Sequence, residues 1–149
     1  MGHDDQMMLD LSAAIRNVGA LLRLDQDRFL FQLRDDIPDI IMPGRWGLFG
    51  GHVDPGEDFE PAIRRELAEE LNFTAREVRF ATEMCYPVSA GGWAHRQFFE
   101  IPITEADIAG MELREGCAMR VMAVAEYLAQ SKIIPWEAHG LLWLVGGGR

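Results

Sequence analysis

The chain has 149 residues, 48% apolar and 26% charged, which excludes a disordered polymer and suits one folded domain spanning 1–149. A formal net charge of −10 excludes a surface built to grip long nucleic acids, since that takes a basic face. A small phosphorylated substrate remains compatible with this charge if a divalent cation stands between the like charges.

Residues 1–8 read as a floppy leader. They are acidic and lack the basic-then-apolar order of a secretory signal. No apolar run reaches the roughly 20 residues that span a bilayer, so no membrane partner is expected. The runs 17–24 and 28–34 are rich in β-formers around the polar Asp25-Gln26-Asp27, which predicts a hairpin. Residues 35–45 hold two prolines and a glycine and read as a loop. The stretch 46–51, Trp-Gly-Leu-Phe-Gly-Gly, predicts one short buried strand ending at a glycine pair.

Asp58 predicts the N-cap of a helix, with Glu60 and Pro61 in its first turn, where proline is tolerated. That helix is expected to run to Leu71 and stop at Asn72, a residue that accepts the left-handed conformation. Strands are expected over 77–88, 95–103 and 117–123, a short helix over 124–130 and a C-terminal helix over 136–145. Strands and helices interleave without regular βαβ spacing, so the expected fold class is α/β, a mixed sheet flanked by helices. Cys85 and Cys117 stand in unlike settings without C-x-x-C spacing. They make no metal framework, and a reducing cytoplasm is the expected compartment.

The segment from Gly50 to Phe73 packs seven acidic residues into 24 positions. A helix turns about 100° per residue, which sets Phe59, Ile63 and Leu67 on one apolar stripe with Leu71 at its edge. Glu66 and Glu70 are not opposite this stripe but lie about 20° to either side of Phe59 in angle, within roughly 40° of each other. Glu69 falls on the flank, in i,i+4 register with Arg65. A solvated face laced by Arg64 and Arg65 accounts for Glu60 and Glu69. It fits Glu66 and Glu70 less well, because half-buried like charges one turn apart need a compensating cation. Hard divalent ions favour carboxylate oxygens so arranged. On the wheel alone, a solvated face and a metal site both stand.

The spacing from Gly51 is Gly, five residues, Glu57, seven residues, then Arg65-Glu66-Leu67-Ala68-Glu69-Glu70-Leu71-Asn72-Phe73. This resembles the signature of the Nudix hydrolase superfamily, GX5EX7REUXEEXGU, with U a bulky apolar residue. Eight of nine specified positions agree; Asn72 stands where the signature has Gly. Asn is the next-best residue for a positive φ, so the turn is expected to be kept. By residue usage, such a match has odds rarer than about one in ten million per start position.

The resemblance implies a Nudix-type α/β/α sandwich with a central mixed sheet and a catalytic loop–helix–loop. It implies Mg²⁺, with Mn²⁺ as a substitute, and hydrolysis of a diphosphate linkage in an NTP, NDP-sugar or related small molecule. Glu66 and Glu70 match the principal metal-binding glutamates, and Glu69 matches a third carboxylate that ligates metal or assists the base. Arg65 matches the arginine that orients Glu69, and the carbonyl of Gly50 matches a backbone ligand. Glu57 matches a structural glutamate paired with an arginine. A further acidic ligand is expected from outside the signature: Glu115, before Gly116, is the candidate, with Glu83, Glu100 and Glu112 as rivals.

Arg34 and Arg96 are candidate phosphate contacts, with an ordinary ion pair as the alternative for each. Trp46 and Trp93 could stack on a base or sugar, although Trp46 also suits the core. His52, His95 and His139 lack partners at ligand spacing and read as structural. The expected partner is a small phosphorylated substrate, and a homodimer is allowed. Two other readings stay open: a catalytically silent Nudix-like ligand-sensing domain, and an isopentenyl-diphosphate isomerase, whose catalytic cysteine context neither Cys85 nor Cys117 reproduces.

Overall fold

A computed structural model of the protein describes residues 11–147; the expected leader at 1–8 lies outside the described residues. The elements follow as β1 (Ile15–Arg23), β2 (Arg28–Leu33), β3 (Trp46–Gly47), β4 (Phe49–His52), α1 (Phe59–Leu71), β5 (Arg79–Pro87), β6 (Trp93–Pro102), α2 (Glu105–Gly110), β7 (Ala118–Ala123), α3 (Val124–Ala129) and α4 (Glu137–Val145). The strands form one mixed sheet. β1 runs parallel to β6 from Ile15↔Ala94 to Arg23↔Pro102, and antiparallel to β4 from Asn17↔His52 to Ala20↔Phe49.

Alternation along β1 explains the layering, because successive side chains leave opposite faces of a strand. Val18, Ala20 and Leu22 pack with Ile63, Leu67 and Leu71 of α1. Leu21 points the other way and packs with Phe98, Tyr127 of α3, and Leu141 and Leu144 of α4. The result is the expected α/β/α arrangement. Leu67 is fully buried, and truncating such a leucine to alanine costs about 2–5 kcal/mol.

The hairpin expectation holds only at its tip. β1 and β2 register at Arg23↔Phe29, after which β4 takes the place beside β1 and β7 pairs with β2. The single strand expected over 46–51 is two strands, broken at Leu48. The Leu48 N–H is donated to the carboxylate of Glu137, at 2.9 Å, rather than to a neighbouring strand.

α1 has the expected limits, but Asp58 occupies the cap position without a side-chain capping bond. At the other end Asn72 adopts φ 51°, ψ 40°, and the N–H groups of Asn72 and Phe73 close onto Ala68 and Leu67. The left-handed stop is therefore kept without glycine. Helix α2 was not anticipated. Its signal is Thr104 with Asp107 three residues on, a reciprocal capping box that satisfies two otherwise orphan N–H groups. Among the described residues no helix is long and apolar enough to cross a membrane.

Candidate functional site

The apolar stripe of α1 locks the helix onto the sheet and thereby turns Glu66 and Glu70 toward the β4 end of the sheet. Glu70 is 3% exposed and Glu66 is half-buried. Glu70 Oε2 accepts the Gly50 N–H at 3.1 Å. Gly50 has φ 152°, a region open to glycine, and a Cβ there would meet the Val18 carbonyl oxygen at 2.0 Å. At Gly51 a Cβ would lie 2.7 Å from the Glu66 carboxylate. Gly51 thus leaves the space that the Glu66 carboxylate fills, while Gly50 lets the chain pass close to the backbone of β1.

Glu115 arrives from the segment after α2. Glu112 N–H bonds Leu71 O at 2.9 Å and Arg114 N–H bonds Glu70 O at 2.8 Å, so this segment is tied to the end of α1. The chain then turns at Gly116, φ 85°, where a Cβ would lie 2.8 Å from both the Gln32 side chain and the Leu33 carbonyl. One carboxylate oxygen each from Glu66, Glu70 and Glu115 falls within 4.8 Å of the others. The rivals are engaged elsewhere: Glu83 with His95, Glu100 with Arg23 and Arg79, and Glu112 with Arg114 and Asn72.

This crowding governs protonation. Glu70 is pushed up to about 10, first by burial and then by the adjacent Glu115 and by Glu66, against the Gly50 N–H. Glu66 is raised as well, by burial, with Arg65 opposing. An all-oxygen set of three close carboxylates fits a hard divalent cation, and the glycine-lined space beside it suits that fit.

Arg65 sits beside the cluster and is saturated. Its Nε and Nη2 donate to the two oxygens of Glu57 at 2.8 and 2.9 Å, Nη1 to Glu66 at 3.0 Å and Glu69 at 3.2 Å, and Nη2 also to His52 O. Glu57 is held down at about 2 by this arginine and by the Asp54 N–H. Glu69, by contrast, is 59% exposed and stands outside the three-carboxylate group.

The cluster forms one end of a cavity of about 630 Å³ that also contains Asn17, Arg34, Ile41, Tyr86, Arg96, Trp136 and Glu137. Arg34 borders it while donating to Ile41 O at 2.9 Å. Arg96 borders it too, yet is 7% exposed and paired with Glu137, so the alternative of a surface ion pair is replaced by a buried one. Trp46 packs against the core with Arg120 over its ring, and Trp93 lies outside the cavity lining. His95 and His139 hold Glu83 and Thr82, as structural residues do, whereas His52 borders the cavity.

Sequence reasoning missed Asn17, Tyr86, Trp136 and Glu137. One visible signal was Glu137, a lone carboxylate in the otherwise nonacidic run 136–145. The Tyr86–Trp136 stack, centroids 5.3 Å apart, joins residues too distant in sequence for any pattern to link.

Comparison with known proteins adds an independent line. Residues 14–144 match the NUDIX domain family. Nucleoside triphosphatase NudI of Escherichia coli O1:K1 / APEC is 45% identical over 51 residues, which is 34% of this chain and 35% of that protein. The match therefore spans about a third of that relative's length. Among solved structures, the MutT protein from Methanosarcina mazei Go1 superposes with TM-score 0.72 at 21% identity, over 86% of this chain and 90% of that one. The NUDIX hydrolase from Nitrosomonas europaea superposes with TM-score 0.73 at 19% identity, over 91% of each chain.

Proposed function

This chain belongs to the NUDIX domain family, and on that premise we propose that it is a Mg²⁺-dependent hydrolase of a diphosphate linkage in an NTP, NDP-sugar or related small molecule. The observation that carries the reading is the meeting of Glu66, Glu70 and Glu115 at one end of a cavity large enough for a nucleotide. Glu66, Glu70, Glu115 and the Gly50 carbonyl would hold the ion, with Glu69 as a further carboxylate; Mn²⁺ would substitute for Mg²⁺. Held there, such an ion would supply positive charge against the diphosphate and would make water a better nucleophile.

The remaining work falls to the chain. Glu69 or Glu115 takes the proton from the attacking water. Arg65 is a positioning residue: it fixes Glu66 and Glu69 from behind while Glu57 anchors it. Arg34 would meet a phosphate of the substrate, a role supported by its position in the cavity lining. The free thiols of Cys85 and Cys117 agree with a reducing cytoplasm.

Incubation with a panel of NTPs, NDP-sugars and dinucleotides, with and without Mg²⁺, tests the proposal. Release of phosphate, diphosphate or a nucleoside monophosphate is expected only with the metal, and should vanish in Glu70→Gln. Binding across the panel without turnover would overturn the reading in favour of a ligand-sensing domain.

A further inference from the structure

The wall of the same cavity carries a second polar arrangement that the hydrolytic chemistry does not use. Arg96 of β6 and Glu137, the first residue of α4, are 7% and 1% exposed. Arg96 Nη2 lies 2.9 Å from one Glu137 oxygen and 3.0 Å from the other. The second oxygen also accepts the Leu48 N–H. The guanidinium rests over the Phe98 ring at 5.2 Å and over Gly19, where a Cβ would come within 2.5 Å of Nη2. It is therefore held from several sides, in a space that Gly19 leaves open. A buried ion pair is weak evidence for added stability, so its cost points to some other use.

That use is visible at its outer end. Arg96 Nη1 donates to Asn17 Oδ1 at 3.0 Å. A guanidinium has only donors, so the Asn17 atom facing it is the carbonyl oxygen, however the amide is assigned. The Asn17 NH₂ is then on the other branch of the amide. It donates to no group among the described residues, and Asn17 is a half-buried residue of the cavity wall. Turning the amide over would set its NH₂ against the guanidinium. Asn17 is thus locked with its oxygen on Arg96, which leaves the NH₂ as the donor this residue of the cavity wall has to offer.

We propose that Asn17 is a specificity-determining residue that reads an exocyclic carbonyl oxygen on the ring of the substrate, favouring oxo-bearing nucleobases over their amino counterparts. Guanine O6 and thymine or uracil O4 are acceptors where adenine N6 and cytosine N4 are donors. The stacked Tyr86 and Trp136 supply an aromatic wall in the same cavity for such a ring. A site committed to one hydrogen-bond polarity rejects the opposite one, because mismatched polar groups are buried unpaired. The inference rests on the hydrolase reading only in placing a nucleotide in this cavity.

Nucleoside monophosphates test it without turnover, since they contain no diphosphate bond to cut. In ligand-observed NMR titrations, GMP should bind about tenfold tighter than AMP, and UMP about tenfold tighter than CMP. In Asn17→Asp both ratios should collapse to one or invert, because a carboxylate there only accepts. The added negative charge weakens both members of each pair alike and leaves the ratios interpretable. Glu137→Gln, which loosens Arg96, should shrink the ratios; if that variant does not fold, Asn17→Asp decides. Flat ratios in the unmodified protein, ratios unchanged in Asn17→Asp, or no binding of any of the four would each overturn the inference. The expected ratios without cleavage of any diphosphate would leave it standing and sink the hydrolase reading, whereas cleavage with flat ratios would do the reverse.

Discussion

In the loop just before α1, Glu57 receives two guanidinium nitrogens of Arg65 and the N–H of Asp54, and its carboxyl is held down at about 2. Near the end of that helix, Glu70 receives one backbone N–H, faces Glu66 and Glu115, and is pushed up to about 10. The side chains are identical, and both belong to one acidic segment. What separates them is the countercharge: Arg65 supplies one to Glu57, whereas Glu70 faces two further carboxylates, the setting on which the proposed metal site rests. A carboxylate left buried without a partner is costly to stability, and that cost is characteristic of a site built for a ligand.

The largest way to break this contrast is Glu70→Gln. Hydrolysis is expected to fall by about a thousandfold, since several kcal/mol of metal-derived stabilisation are lost and each 1.36 kcal/mol is worth a factor of ten. In the absence of divalent ions the same variant should melt at a higher temperature than the parent near neutral pH. A metal-free variant that is less stable would contradict the account of Glu70.

Arg65→Ala attacks the other side. Activity should drop about 10–100-fold through loss of the support behind Glu66 and Glu69. Because its folded pKa is depressed, Glu57 contributes stability above its ordinary 4.5, and this is lost as pH falls toward about 2. Without Arg65 that contribution disappears, so acid unfolding followed by circular dichroism should begin at a higher pH than in the parent.

For Glu70 the sign is reversed. Its folded pKa is raised, so its favourable contribution is complete below 4.5 and is lost as pH climbs toward about 10 in metal-free protein. Mg²⁺ competes with that proton, so the rise in melting temperature on adding Mg²⁺ should grow between about pH 6 and pH 9. Glu115→Gln should flatten this dependence, as it removes the neighbour that most strongly assists burial in raising Glu70. An unchanged slope would mean that Glu115 does not act on Glu70.

The smallest effect is expected for Asn72→Gly. It relieves a non-glycine residue at φ 51° but gives up the bond from Asn72 Nδ2 to Glu112, for a net gain of about 0.5 kcal/mol by chemical denaturation. Neither carboxylate region should respond. A change in activity here would show that the end of α1, rather than its side chains alone, tunes the cluster.

Much of this was legible in the linear chain. The α1 limits, the left-handed stop at Asn72, the α/β class and the inward turn of Glu66 and Glu70 follow from helical period and spacing, which are local properties. The break at Leu48 was not, because a carboxylate from α4 captures the backbone N–H there. Nor was the early divergence of β1 from β2, since β4 and β7 compete for their edges only once the sheet has assembled.

The partition at the site has the same origin. Sequence by itself determined which glutamates share a helix face and which arginine lies within reach of them, because 3.6 residues per turn leaves no other arrangement. Only tertiary structure decided that Glu115, and not Glu83, Glu100 or Glu112, joins Glu66 and Glu70. Only the assembled sheet and α4 brought Asn17, Arg96 and Glu137 into one chain of hydrogen bonds. These are meetings between distant segments, set by how the cores on the two sides of the sheet pack, and no local period encodes them.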